Sequence, residues 1–106
     1  METPNYTIIN ALAKGDDEVK KMILEVLIEE FPLEKESYFN SFKLKDFKQT
    51  QEIVHKIKHK ISVLGLDKSY ELANIYENNL LNSSIENHKD FEKTLEVISS
   101  FIKSIS

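Results

Sequence analysis

An all-α domain is the fold class this sequence predicts, and three observations predict it. Glycine and proline occur only twice each, so few residues interrupt helices. Leu, Ile, Glu and Lys abound, with no low-complexity linker or internal repeat. Apolar residues recur at steps of three and four through most of the chain, the period of a helix with one buried face. At 106 residues the chain fits a single domain, residues 1–106, with one ordinary apolar core.

The elements follow in order. Thr3-Pro4 reads as a capping hydroxyl followed by a proline at the first helical position, which predicts a short helix over 4–14 closed by Gly15. Asp16 or Asp17 can cap a second helix, whose Val19, Met22, Ile23, Val26, Leu27 and Phe31 are expected to face the core. Pro32 predicts a kink or break, with Tyr38, Phe39 and Phe42 continuing the pattern beyond it. Asp46 caps a long helix with Phe47, Val54, Ile57, Ile61 and Leu64 on one stripe, ended at Gly65. Asp67 can cap a helix through Tyr70, Ala73, Tyr76 and Leu80. Ser83 with Glu86 reads as a capping box for the last helix, whose seam is Phe91, Leu95, Ile98, Ile102 and Ile105. Short connections favour antiparallel neighbours. The expected architecture is an up-and-down four-helix bundle with the short N-terminal helix packed across one end.

Composition excludes several function classes. Without cysteine there is no disulfide framework, thiolate zinc site or cysteine nucleophile, which fits a cytoplasmic protein. No uncharged apolar stretch approaches membrane-spanning length, and residues 1–14 do not read as a secretory leader, so a soluble protein away from membranes is expected. The net charge of −4 is unevenly spread: Lys43–Lys60 holds six lysines against Asp46 and Glu52, leaving −8 elsewhere. Such a chain is a poor nucleic-acid binder, although the basic patch can attract an anion or an acidic partner. Solubility is the plain alternative reading of those lysines, and an exposed polar residue is that of His88.

On the fourth predicted helix, His55, Lys58, His59 and Ser62 form an i, i+3, i+4, i+7 stripe, placed outward when the apolar stripe points inward. A neutral imidazole has a free lone pair and can attack phosphorus without a general base. Lys58, one turn away, can offset the charge of a phosphoryl group on that ring. With two glycines in the whole chain there is no glycine-rich nucleotide lid, so neither ATP binding nor autophosphorylation is expected.

The segment His55-Lys56-Ile57-Lys58, followed by Leu64-Gly65, resembles the signature of histidine-containing phosphotransfer (HPt) domains of bacterial two-component phosphorelays. Asp46-Phe47 is similar to the acid-aromatic start of that family's active helix, and Glu18–Phe31 resembles the helix before it, so the likeness covers most of the chain. The resemblance implies a four-helix bundle with His55 as phosphoacceptor. It implies a monomeric phosphocarrier rather than an enzyme, without cofactors of its own. The phosphoryl group would come from a receiver-domain aspartyl phosphate of a hybrid histidine kinase and pass to a response-regulator receiver, with Mg²⁺ on the receiver. His59 and Lys60 depart from the pattern, which has glycine and a small residue there. A second imidazole beside His55 can crowd the partner, bond the phosphoryl group or act as a decoy acceptor.

Two readings from other classes remain open. One is a non-catalytic helical adaptor that uses the lysine patch on an acidic partner. The other is a metal site on His55 and His59, with Glu52 an adjacent turn away; two histidines fall short of the three or four protein ligands zinc usually takes.

Overall fold

Side-chain caps and left-handed residues divide residues 2–106, those described by a computed structural model, into five helices with no strand among them. These are α1 (Thr7–Ala13), α2 (Asp17–Lys43), α3 (Phe47–Val63), α4 (Asp67–Leu81) and α5 (His88–Ile105). Two of the expected caps are made. The Asp16 carboxylate accepts from the backbone N–H groups of Glu18 and Val19 at 2.9 and 3.3 Å, and that of Asp46 accepts from Gln49 N–H at 3.1 Å. Gly15 and Gly65 carry φ of 82° and 74°, the left-handed conformation that ends a helix.

Three helix starts differ from expectation. α1 begins at Thr7 rather than Pro4, because Asn5 donates its N–H to the Leu64 carbonyl at 2.9 Å and caps Thr7 N–H with its side chain at 3.0 Å. A long-range tie thus holds the preceding segment out of the helix. Asp67 is the first residue of α4 rather than its cap. The cap comes from Glu2, whose carboxylate accepts from Lys68 N–H and Ser69 N–H, both at 2.9 Å. Burial raises the pKa of Glu2, but these backbone donors and the Lys68 charge outweigh it and hold the carboxyl below its usual range. The Ser83–Glu86 capping box is not formed: Ser83 sits at φ 59°, Ser84 Oγ accepts from Glu86 N–H at 3.2 Å, and α5 starts only at His88.

Pro32 does not break α2, which runs unbroken for 27 residues. At 1.5 Å per residue this helix is about 40 Å long, and it accounts for the 43 Å long axis of the molecule. Proline removes a single intrahelical donor, whereas Leu27, Phe31 and Tyr38, on both sides of it, are buried and hold the two halves against one core. Met22 and Val26 do not face that core; they are 62% and 47% exposed. By helical rotation they lie about 140° and 100° from Leu27, off the stripe that packs inward.

α3 packs most extensively against α4 and α2, α4 against α5, and α5 closes on α2. Val54, Ile57, Ile61 and Leu64 meet Ala73, Tyr76, Leu80, Phe91, Leu95 and Ile98 in one cluster. Each large apolar side chain buried there stabilises the fold by about 1.5–3 kcal/mol before entropy is counted. A chain of polar groups crosses the core. Tyr76 bonds Tyr38 (O···O 2.7 Å), Tyr38 donates to Glu92 Oε2 (2.9 Å), and His88 Nδ1 meets the same oxygen at 2.9 Å. Burial pushes both phenols up, Tyr76 to about 12, so they remain protonated donors. His88, read from sequence as plain surface polarity, is half-buried and packs on Phe42 with ring centroids 5.1 Å apart.

Gly65 is expected to be the more sensitive glycine. A Cβ there would come within 2.5–2.9 Å of the Asn5 side chain, which caps α1, whereas one at Gly15 meets nothing within 4 Å. Both substitutions incur the left-handed penalty of about 1–2 kcal/mol, so urea denaturation should show Gly65→Ala losing more stability than Gly15→Ala. Equal losses would mean that Asn5 moves aside freely.

Candidate functional site

The α3–α4 connection sets the site. A tight turn at Leu64–Leu66 sends α4 back along α3, and residues equidistant from Leu66 then face one another. His55 and Glu77 are 22 residues apart and Lys58 and Asn74 are 16 apart; both pairs centre on Leu66, and both are hydrogen-bonded. His55 Nδ1 lies 3.1 Å from Glu77 Oε2, and Lys58 Nζ lies 2.7 Å from Glu77 Oε1 and 2.6 Å from Asn74 Oδ1. Gln51 donates to Glu77 Oε2, and Lys58 Nζ sits 5.5 Å from the centre of the Tyr70 ring. Glu77 thus bonds three side chains of α3.

Burial works against the Glu77 charge, but hydrogen bonds from Lys58 and Gln51 and the charges of Lys58 and His55 outweigh it, and the carboxyl is held below its usual range. The ionised carboxylate has only acceptors, so the hydrogen bond requires a proton on His55 Nδ1, and in the neutral imidazole the lone pair is then on Nε2. The His55 side chain is 53% exposed, against 13% for Glu77 and 11% for Lys58. This is a solvent-facing imidazole in one tautomer, held from beneath by a carboxylate.

The outward stripe is realised only in part. His55, His59 and Ser62 are exposed, but Lys58 is buried between α3 and α4. Helical rotation alone cannot anticipate this, because a four-carbon stem reaches across the helix flank to an anion on the next helix. Lys60, read as a solubilising lysine, is also buried, with Nζ 2.9 Å from Glu30 and 3.0 Å from Glu34 on α2. Two of the six lysines of the basic patch are therefore neutralised within the fold, which weakens the case for an adaptor surface built on that charge. His59 lies next to His55, ring centroids 5.1 Å apart and planes at 73°.

Sequence reasoning missed Glu77, Gln51 and Asn74. Their signal was the hairpin register: folding the chain about Gly65-Leu66 puts Glu77 opposite His55. No helix among the described residues is long and apolar enough to cross a membrane. No family model, curated protein or solved structure matches the chain.

Proposed function

We propose that this chain is a phosphocarrier of the HPt type that accepts a phosphoryl group on Nε2 of His55 and passes it to a receiver-domain aspartate. The observation that carries the reading is the Glu77–His55 pair: an exposed imidazole whose Nδ1 is engaged and whose Nε2 lone pair is free to attack. The family-like spacing of His55, Ile57, Lys58, Leu64 and Gly65 supports it. So does the order of helix contacts, which fits the four-helix bundle that the resemblance implies.

In the proposed reaction the Nε2 lone pair attacks phosphorus of the aspartyl phosphate. A N–P bond forms as the P–O bond to the aspartyl carboxylate breaks, and that carboxylate leaves with the bonding electrons. Nδ1 keeps its proton and donates it in a hydrogen bond to Glu77, whose charge offsets the positive charge developing on the ring, as the carboxylate of a serine-protease triad does for its histidine. Mg²⁺ belongs to the receiver. Lys58 acts through Glu77 rather than on the phosphoryl group directly, because its ammonium group is already bonded to Glu77 and Asn74.

Incubation with acetyl-phosphate-charged receiver domains, followed by mass spectrometric mapping of His55, His59 and His88, tests the assignment. Label on His55 is expected, and label only on another residue would refute it. Lys58→Ala should slow transfer about tenfold, equivalent to about 1.4 kcal/mol, by loosening Glu77. Wild-type rates in that variant at low salt would remove Lys58 from the mechanism.

A further inference from the structure

Two imidazoles one helical turn apart can share a metal ion, and three features make this pair more than a surface coincidence. The first is spacing. With Zn–N about 2.0–2.1 Å, the ion stands about 3.2 Å from each ring centre, so a tetrahedral angle separates the centres by about 5.2 Å. The His55 and His59 rings are 5.1 Å apart. The second is tautomer and orientation. Metal-binding histidines characteristically donate their other ring N–H to a carboxylate, which fixes the ring and makes the ligating nitrogen more basic. Glu77 already stands in that position on His55 Nδ1, at 3.1 Å. The third is access. Both rings are exposed, and no side chain among the described residues hydrogen-bonds His59 or His55 Nε2.

We propose that His55 and His59 form an exchangeable bidentate site for a borderline divalent transition ion such as Zn²⁺, and that its occupation excludes phosphorylation of His55. The exclusion rests on the phosphocarrier reading; the metal site does not. Both ligands must be neutral nitrogens, and one lone pair on His55 Nε2 cannot hold a metal ion and a phosphorus atom together. Glu77 is engaged on Nδ1, on the other side of the His55 ring, and no group of three or more His, Cys, Asp or Glu placed to hold a metal ion occurs among the described residues. The remaining positions of the ion then go to water, so binding should be weaker and more exchangeable than at a structural zinc site. His59, one of the two positions at which the sequence departs from the HPt pattern, thereby acquires a chemical role.

The test has two arms. Zinc is titrated calorimetrically into the wild-type chain, His55→Gln, His59→Ala and His88→Gln, with sedimentation velocity run at each endpoint. One ion per monomer is expected, with affinity at least tenfold lower in His55→Gln and His59→Ala and unchanged in His88→Gln. Equal affinities in all four proteins, no uptake, or a zinc-bridged dimer would overturn the site. In the second arm phosphoramidate, a small donor that needs no receiver, labels the chain with and without saturating zinc. Zinc should suppress His55 label at least tenfold in the wild type and leave the label of His59→Ala insensitive to zinc. Equal wild-type labelling with zinc bound would overturn the exclusion. If His55 is never labelled by phosphoramidate or by a charged receiver, the phosphocarrier reading and the exclusion fall together, while the calorimetry still decides the metal site.

Discussion

His55→Gln is expected to abolish phosphoryl acceptance while leaving helicity and the unfolding midpoint nearly unchanged. Loss of acceptance follows because an amide has no lone pair of imidazole basicity, and His55 is the imidazole of this site that Glu77 orients. Stability is spared because the ring is half in solvent and belongs to no part of the apolar cluster. What it contributes is one partly exposed hydrogen bond to Glu77, worth about 1 kcal/mol or less. Circular dichroism and urea denaturation check the second half of this expectation, and radiolabel from a charged receiver checks the first. Undiminished labelling, or label that survives acid as hydroxyl phosphates do, would sink the acceptor assignment.

Glu77→Gln is expected to damage both stability and transfer. Lys58 and Glu77 are about one-tenth exposed, and removing one partner of such a pair leaves the other charge without compensation, at a cost of about 1–3 kcal/mol. The pH dependence carries the signature. The folded-state pKa of Glu77 is depressed below its ordinary 4.5, so its contribution is fully present above that value and is lost as pH falls through the lower folded pKa. The wild type and Glu77→Gln should therefore differ most at neutral pH and converge in acid. Lys58→Met combined with Glu77→Gln should recover much of the stability, since no lone charge remains, but not the transfer rate, since the His55 tautomer is no longer fixed. A single variant as stable as wild type at pH 7, with unaltered transfer, would show that the carboxylate neither holds the fold nor orients the ring.

The helical class and most of the core were legible in the sequence. The stripe Val54, Ile57, Ile61, Leu64 and the seam Phe91, Leu95, Ile98, Ile102 are periodic, and periodicity is a local property that burial then follows. Asp16, Asp46, Gly15 and Gly65 were readable for the same reason: each acts on backbone within a few residues of itself. Three of the errors fell where a distant partner intervened, whereas the Ser83–Glu86 capping box failed locally, at Ser83 and Ser84. Glu2 took the capping role assigned to Asp67, Asn5 moved the start of α1, and the core carried α2 past Pro32.

The site divides along the same line. By itself the sequence determined an exposed histidine with aliphatic and lysine residues at set offsets, because those positions share α3 and rotate together at 100° per residue, and the glycine that stops the helix. Only the tertiary structure decided which nitrogen of His55 is free, where the Lys58 charge goes and what lies beneath the ring. Those depend on Glu77 and Asn74, which stand on another helix and reach His55 and Lys58 through the register of the α3–α4 turn. One residue more or less in that turn would rotate α4 by about 100° relative to α3 and carry Glu77 away from His55.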